Sequence, residues 1–333
     1  MQRDKFAARL ARAFDRPLPL HGNYAALTEV SSHDNQQQTT EAFSDKWERY
    51  GASAEKEKLY AFQLDWYLKL YGFASEDGLR EHLRHCELIL DAGCGLGYKA
   101  AWFARLAPQA LVVGMDFSGA AAQAAQAYAE LPNLFFVRGD IASTGMRDGA
   151  ADYVSCDQVI MHTEDPQATF AELARVTKRP DGQFACYFYA KKALPRELLD
   201  EHFRSHCKEL SREQLWELSA QLAELGRRLS ALDVTFDAPA IPALGIKGGR
   251  IDVQRFLYWN FVKCYWNEEL GLETSIVTNF DWYSPSNARR FSESEVRQLV
   301  RSNGMVETCF HAEEACYSGR FAHVSHGAGA VVP

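Results

Sequence analysis

The chain has 333 residues, of which 47% are hydrophobic, and its formal net charge is −8 at pH 7. This length exceeds one minimal domain and can bury a large core. The acidic balance argues against a general nucleic-acid surface, and no apolar run approaches the roughly 18 residues of a membrane span.

The first residues and the cysteines indicate the compartment. The sequence begins without the apolar segment of a secretion signal, so we expect a cytoplasmic protein. The eight cysteines are scattered, and none forms CxxC or a Cys/His spacing suited to zinc. We interpret them as reduced thiols of the core, and we expect neither a metal site nor binding to a membrane or to nucleic acid.

The N-terminal segment predicts a helix followed by a linker. Residues 1–16 are basic and amphipathic, with Phe6, Leu10 and Phe14 on one face. We favour a docking helix, or an arm onto a partner subunit, over a helix on a membrane surface, which leaves a homodimer open. Residues 17–40 are polar and rich in turn formers, which is typical of a linker or of an arm that orders on binding.

Three helices are predicted before the first strand, over residues 41–50, 55–71 and 75–85. The first of them carries Phe43, Trp47 and Tyr50 three and four positions apart, so one of its faces is aromatic. Such a face is typical of a helix that packs on a core.

Residues 88–97 contain the most informative motif of the chain. A short apolar run is typical of a buried parallel strand. An acid and three alternating glycines end this run: Asp91, Gly93, Gly95 and Gly97. Residues 98–106 then predict a helix. Because glycines let the backbone turn sharply and approach a ligand closely, this strand, turn and helix predict a nucleotide-binding unit.

The acid and the third glycine indicate which nucleotide. A dinucleotide-binding motif requires a third glycine three residues after the second, and that position is Tyr98. A carboxylate at Asp91 would also repel a pyrophosphate, whereas it would attract an ammonium or a sulfonium group. S-adenosylmethionine carries both cations and has no phosphate.

This acid followed by GxGxG resembles the first motif of the class I S-adenosylmethionine-dependent methyltransferases, in particular bacterial enzymes that act on small molecules. The resemblance implies an α/β fold with a Rossmann-like, doubly wound, seven-stranded sheet, and S-adenosylmethionine as the cofactor. It also implies that the segment from Phe43 to Trp47, of the type F-x-x-K-W, lies over the cofactor as a lid. The alternative for this segment is a core-packing helix.

The second predicted strand, residues 110–116, ends in Asp116. This acid lies near the offset of about 20 residues expected for the group that binds ribose hydroxyls, and Phe117 would pack near the adenine. Ser118 is a plausible N-cap for an alanine-rich helix that ends near Glu130.

The third strand, residues 134–137, leads to Asp140 and Ile141. The resemblance implies that the acid meets the adenine amino group and that the apolar residue packs on the ring. The fourth strand, within residues 152–162, contains Asp157 and Gln158, which we also expect to bind the cofactor. Ligands bind at the carboxyl ends of parallel strands, where all these acids are predicted to lie.

The candidate catalytic residues follow the fourth and fifth strands. His162 is the natural general base if the acceptor keeps its proton until late in the reaction; the alternative is a structural histidine. Tyr189 ends the fifth strand, residues 183–189, and either orients a substrate or packs in the core.

The pattern of strands and helices then breaks and later resumes. Helices are predicted over 192–232, a loop over 233–250 and an aromatic segment over 251–268. Ser292 predicts the N-cap of a helix that is followed by two antiparallel strands, over 305–310 and 317–323.

We therefore divide the chain into five parts: an N-terminal arm with lid helices over 1–85, a cofactor-binding core over 86–191, a mainly helical substrate insertion over 192–291, the end of the core sheet over 292–323, and a disordered tail over 324–333.

The insertion is predicted to enclose the acceptor. Its aromatic residues suit a flat or cationic molecule, and five basic residues suit a carboxylate or phosphate: Lys247, Arg250, Arg255, Arg289 and Arg290. The alternative is that the aromatics pack in a core and the arginines lie on the surface.

The sequence thus predicts methyl transfer to oxygen, nitrogen or carbon of a small organic acceptor, in specialised metabolism. The same fold also hosts other chemistry, such as cyclisation of the aminobutyl arm of S-adenosylmethionine. A macromolecule modifier is disfavoured, because residues 157–160 read Asp-Gln-Val-Ile rather than an Asn-Pro-Pro-Tyr type of motif. A non-enzymatic partner subunit that binds the cofactor is a further alternative.

Overall fold

The computed structural model describes residues 2–27, 34–51 and 53–324. Residues 325–333 of the predicted tail and residues 28–33 of the predicted linker lie outside the described residues. The described residues form two compact units, one within residues 1–31, 64–189 and 291–333, the other within residues 32–63 and 190–290.

The described residues contain ten β-strands: β1 (Tyr24–Ala26), β2 (Leu88–Ala92), β3 (Leu111–Asp116), β4 (Leu134–Arg138), β5 (Tyr153–Cys156), β6 (Gln183–Tyr189), β7 (Thr235–Ala238), β8 (Gly249–Asp252), β9 (Met305–Ala312) and β10 (Cys316–His323).

The described residues also contain twelve α-helices: α1 (Gln2–Ala13), α2 (Asp34–Gly51), α3 (Lys56–Leu70), α4 (Glu76–Leu83), α5 (Tyr98–Leu106), α6 (Ala120–Ala127), α7 (Pro166–Val176), α8 (Leu194–Cys207), α9 (Arg212–Ser230), α10 (Val253–Asn260), α11 (Leu272–Tyr283) and α12 (Glu293–Ser302). None of them combines the length and the hydropathy that a bilayer crossing requires.

The first unit is built on an eight-stranded sheet in the order β1-β4-β3-β2-β5-β6-β10-β9. The first six strands of this order are mutually parallel, and β10 is antiparallel to both β6 and β9. All five residues of β2 are buried, which explains its unbroken apolar sequence, because a parallel strand is covered on both faces. The predicted α/β class and doubly wound sheet are confirmed.

The sheet has one strand more than the seven that were predicted. The additional strand, β1, pairs in parallel with β4 and places Tyr24 opposite Phe136. Its three residues lie within the segment that was predicted to be a linker. They are too few to show an alternating pattern. Hydrogen bonds on both sides of the strand join it to β4, from Phe136 N to Asn23 O at 2.8 Å and from Leu27 N to Arg138 O at 3.0 Å.

The two edges of this sheet differ. β1, at one edge, is three residues long. β9, at the other edge, is eight residues long and carries exposed side chains, including Glu307, which forms an ion pair with Arg297 of α12. The predicted antiparallel hairpin is confirmed. Its first strand ends at Ala312 rather than at residue 310, and its second strand begins at Cys316 rather than at residue 317.

The helix after β3 is shorter than predicted. α6 ends at Ala127 rather than near Glu130, and its N-cap is Gly119 rather than Ser118. The Ser118 hydroxyl still accepts a 3.2 Å hydrogen bond from Ala120 N, so the capping interaction is shifted by one residue.

The second unit contains α2, α8–α11 and a β-ribbon. The stacked rings of Trp216 in α9 and Phe280 in α11 join these two helices, with centroids 3.7 Å apart. The predicted loop over 233–250 in fact contains most of the antiparallel ribbon β7–β8. Packing of Phe236 against Phe256, with centroids 5.1 Å apart, anchors the ribbon, and such a distant contact gives no local sequence signal.

Helix α2 begins at Asp34, seven residues before the predicted start. Its first turns are rich in glutamine and threonine, which give little amphipathic pattern. They are held by distant contacts, because Gln38 Nε2 donates to Ser284 O at 2.9 Å and Asn287 N donates to Thr39 Oγ1 at 3.0 Å.

The N-terminus of α7 offers a test of the local structure. Asp165 Oδ1 accepts hydrogen bonds from Gln167 N at 2.9 Å and Ala168 N at 3.0 Å. We expect Asp165→Ala to lower the free energy of unfolding by about 1 kcal/mol, whereas Asp165→Asn should change it by only a few tenths, because asparagine also caps helices. Urea denaturation followed by circular dichroism measures both. Equal losses in the two variants would show that the charge, and not the cap, is what matters.

Candidate functional site

The turn between β2 and α5 requires its glycines. Gly93, Gly95 and Gly97 have φ angles of 78°, 51° and 78°, in the left-handed region that favours glycine. A Cβ atom on Gly97 would lie 2.6 Å from Phe136 Cε1, and one on Gly93 would lie 2.4 Å from Val159 Cγ1. The turn is therefore packed closely against β4 and against the loop after β5.

Asp116 ties this turn to the end of β3. Its Oδ2 accepts a 2.8 Å hydrogen bond from Gly95 N, and its Oδ1 accepts from Ser118 N at 2.9 Å and from Ser118 Oγ at 2.6 Å. The carboxylate is only partly buried, as is the neighbouring Phe117. Since each carboxylate oxygen has two acceptor positions, Asp116 can accept further donors while it holds the turn.

Asp91 is a carboxylate with an unused acceptor. The residue is 1% exposed, and its Oδ2 is buried without a hydrogen-bond partner among the described residues. Burial raises the pKa of Asp91 to about 7; Lys99 opposes this shift, while Asp157 and Asp116 add to it. A buried acid in this state is a position where a hydrogen-bond donor or a cation would be stabilised.

Asp157 is held by three donors from the protein. Lys99 Nζ lies 2.5 Å from its Oδ2, Gln158 Nε2 donates to the same oxygen at 3.2 Å, and Tyr71 Oη donates to Oδ1 at 2.8 Å. Burial alone would lower the pKa of Lys99, but Asp157 outweighs this effect and the pKa is raised, so the two groups form a buried ion pair.

This network fixes the loop after β5. Gln158 has a φ angle of 64°, a conformation that non-glycine residues seldom adopt, and it directly follows the carboxylate that Lys99 and Tyr71 hold. The observed role of Asp157 is thus to position this loop, and its direct contact with a cofactor stays a prediction. Lys99 and Tyr71 were missed from the sequence. For Lys99, the available signal was a lysine at the start of a helix whose neighbouring residues are mostly apolar.

Asp140 and Ile141 follow β4. Asp140 Oδ1 accepts a 2.8 Å hydrogen bond from Ala142 N, and burial raises the pKa of Asp140. Ile141 is buried. Their roles toward an adenine ring stay predictions.

The two candidate catalytic residues are in contact. His162 ends a short 3₁₀ turn, Ile160–His162, and is buried, whereas Tyr189 at the carboxyl end of β6 is partly buried. Their rings meet edge to face, with centroids 5.4 Å apart and planes at 90°. Residues separated by a whole helix and strand in the sequence are therefore brought together at the carboxyl ends of two adjacent strands.

The remaining predicted site residues lie in the second unit. Trp47 is partly buried on α2, with Lys46 Nζ 4.2 Å from its ring centroid, and its role as a lid stays a prediction. Arg290 forms ion pairs with Glu197 at 2.8 Å and Glu201 at 3.3 Å, so its charge is already balanced. Arg250 donates to Thr235 Oγ1 across the ribbon.

The buried ion pair gives a test of this network. Lys99→Met leaves Asp157 as a buried charge without its counterion, so we expect a loss of about 3–5 kcal/mol in unfolding free energy. The double variant Lys99→Met/Asp157→Asn should recover most of that loss.

The matched control is Lys69→Met, which removes an exposed ion pair with Glu313. It should cost less than about 1 kcal/mol, because solvent screens exposed pairs. Urea denaturation compares the three variants with the wild type. A Lys99→Met loss no larger than that of the control would contradict a tightly coupled pair.

Comparison with known proteins gives a consistent domain match. Residues 90–186 match a family described as a methyltransferase domain. An uncharacterized methyltransferase of Schizosaccharomyces pombe is 30% identical over 32% of this chain and 41% of its own length. A Mycolicibacterium smegmatis protein named "Probable S-adenosylmethionine-dependent methyltransferase" is 26% identical over 62% of this chain and 77% of its own length.

Among solved structures, magnesium protoporphyrin IX methyltransferase from Synechocystis PCC 6803 with bound SAH is similar, with a TM-score of 0.46 and 15% identity. That match covers 87% of this chain and 100% of the other. The chain spans less than half the length of the fission yeast relative, at 41%.

Proposed function

We propose that the protein is a class I S-adenosylmethionine-dependent methyltransferase that methylates a small organic acceptor, which the match of residues 90–186 to a methyltransferase domain supports. The observation that carries the proposal is the buried Asp91 carboxylate, whose Oδ2 lacks a donor beside a glycine turn. A cationic nucleoside without phosphate satisfies such an oxygen, whereas a pyrophosphate would be repelled.

The residues around the turn fit S-adenosylmethionine. Asp91 would accept the ammonium group, and Asp116, with its spare acceptor positions, would accept the ribose hydroxyls. Phe117, Asp140 and Ile141 would hold the adenine. Gly93, Gly95 and Gly97 let the backbone approach the ligand, and Gln158 would complete the cofactor site. When bound, this cofactor supplies an activated methyl group and a neutral thioether leaving group.

The chain itself mainly positions the reactants. His162 would take the proton of the acceptor at an imidazole nitrogen, if the acceptor carries one. Tyr189 would hold the imidazole ring in place through the edge-to-face contact described above, and its hydroxyl would orient the acceptor. The ion pair of Lys99 and Asp157 would keep the loop at Gln158 in its left-handed conformation.

Other parts of the proposal concern the rest of the chain. We assign acceptor recognition to the mainly helical part over 192–291, and we place the protein in the cytoplasm. A homodimer and the absence of nucleic-acid binding belong to the same proposal.

Binding and product analysis test the function. Calorimetry should detect S-adenosylmethionine and S-adenosylhomocysteine but neither NAD nor ATP. With methyl-labelled cofactor and a bacterial metabolite extract, mass spectrometry should find one labelled small molecule and released S-adenosylhomocysteine. Tight binding of NAD or ATP without the sulfonium nucleoside would overturn the proposal, and release of methylthioadenosine would point to cyclisation.

Asp116→Asn tests the ribose contact. Loss of a charged acceptor should weaken cofactor affinity by about 10–100-fold, since hydrogen bonds to charged groups contribute about 1.5–3 kcal/mol. Asp148→Asn is the matched control, because Asp148 is a surface acid of the same unit that pairs only with Arg175 among the described residues. Calorimetry compares the three proteins, and equal affinities would remove Asp116 from the site.

Asp91 predicts a pH dependence of binding. Below a pKa of about 7 the free protein carries a protonated Asp91, so cofactor affinity should fall as the pH decreases from 8 to 6. Asp91→Asn should bind more weakly at pH 8 and show no such slope.

The same pKa has an opposite effect on stability. It is raised above the ordinary value of 3.8, so the folded state binds more protons than the unfolded state between about pH 4 and 7. Stability is therefore lost as the pH rises through this range. Asp91→Asn should be more stable than the wild type at pH 8 and similar to it at pH 4, which thermal denaturation at the two pH values measures. If the difference in stability between the two proteins were the same at pH 4 and pH 8, the raised pKa of Asp91 would be contradicted.

A further inference from the structure

The second unit contains a buried lysine without a counterion. Lys263 lies between α10 and α11 and is 7% exposed. Its backbone N–H donates to Tyr283 Oη at 3.2 Å, and its Nζ lies 4.4 Å from the centroid of the Trp282 ring. Within the described part of the chain, Nζ has neither a hydrogen bond nor an ion pair.

The two acids that act on this amine, Asp200 and Asp281, are engaged with other cations. Asp200 Oδ2 accepts from Arg196 Nε at 2.7 Å and from Trp282 Nε1 at 2.8 Å, and its Oδ1 accepts from Tyr283 Oη at 3.1 Å. Asp281 Oδ2 accepts from Lys46 Nζ at 2.7 Å, whereas its Oδ1 has no partner. Two neutral pairs result, and Lys263 remains as an uncompensated cation.

Burial of the Lys263 ammonium group without a counterion is energetically unfavourable. Desolvation lowers the pKa of Lys263 to about 7; Arg196 and Lys192 add to the shift, while Asp281 and Asp200 oppose it. The face of Trp282 attracts the ammonium group but does not neutralise it. An anion placed beside Nζ would therefore gain a full counterion and would restore the charged form of the lysine.

The surroundings select among anions. Among the described residues, Lys263 brings one unpaired positive charge to this place, which suits a monoanion, because a phosphate dianion would need a second positive group. Arg196 is not available as that group, since it pairs with Asp200 and donates to the Tyr258 carbonyl. Lys192 Nζ donates to Ala190 O at 2.7 Å. The indole of Trp282, which is buried, provides a flat apolar wall beside the amine.

We propose that Lys263 and the ring of Trp282 form a binding subsite for the carboxylate of a small organic acid with an apolar or aromatic body. Naming this acid as the methyl acceptor rests on the proposed function. The subsite differs from the five basic residues predicted from the sequence. Of those, Arg290 is already paired and Lys247 is exposed.

The probe for this subsite is benzoate, with benzamide as its neutral analogue and inorganic phosphate as a second anion. Calorimetry on the full chain at pH 6.5 should detect benzoate, at least tenfold weaker phosphate binding and no benzamide. Lys263→Met should weaken benzoate binding at least tenfold, whereas Lys263→Arg should keep it within about threefold. Lys58→Met, which removes an exposed lysine of the same unit outside the predicted insertion, should leave it unchanged.

Two further measurements separate a binding role from a structural one. Lys263→Met should be as stable as the wild type or more stable, because it removes an uncompensated buried charge. Benzoate binding at pH 8 should also take up protons from the buffer, measured by calorimetry in two buffers of different ionisation enthalpy. The charged groups that act on the amine are Arg196, Lys192, Asp281 and Asp200.

The proposal is overturned if the wild type does not bind benzoate, if Lys263→Met binds it equally well, or if phosphate binds as tightly. If Lys263→Met does not fold, the benzoate affinity of Lys263→Arg and the proton uptake of the wild type on benzoate binding test the proposal. All these experiments omit the cofactor. Failure to bind S-adenosylmethionine would therefore leave the subsite standing, and failure to bind benzoate would leave the cofactor proposal standing.

Discussion

The candidate site depends on the buried ion pair between Lys99 and Asp157. It links the beginning of α5 to the exit of β5, on the two sides of the glycine turn. With Tyr71 as a third partner, it holds the backbone at Gln158 in the left-handed conformation, which is unfavourable for a residue other than glycine. Val159 then occupies the space that the missing side chain of Gly93 provides. The shape of the turn is thus set by one charge contact and by close packing around it.

Each of the two units contains one buried ionisable group that the protein itself does not fully pair, an acid in the first unit and an amine in the second. In the first unit, Asp91 is a buried acid whose Oδ2 lacks a donor, and in the second unit Lys263 is a buried amine that lacks an anion. Burial moves the pKa of each group toward 7, upward for the acid and downward for the amine. The protein alone pairs neither group fully, so under our proposals a cationic cofactor and an anionic acceptor would each complete one of them.

The sequence predicted those parts of the fold that leave a local pattern. The strand at Leu88, the glycine turn and the N-cap at Ser292 were found because their signals lie within about ten residues. β1, the first turns of α2 and the ribbon β7–β8 were missed, since distant contacts hold them. Lys99 and Tyr71 meet Asp157 across 58 and 86 residues, a separation that no local pattern records. Lys263 was missed for the same reason, because its lack of a partner is visible only in three dimensions.

The edges of the large sheet bear on how copies of the protein behave at high concentration. An open strand edge can add a strand from a neighbouring molecule, and such addition can continue into fibrous aggregates. The edge at β1 offers only three residues for pairing. The longer edge at β9 carries Glu307, whose ion pair with Arg297 keeps charged groups along the strand. Sheet-to-sheet polymerisation is thus disfavoured at both ends, by brevity at one and by charge at the other.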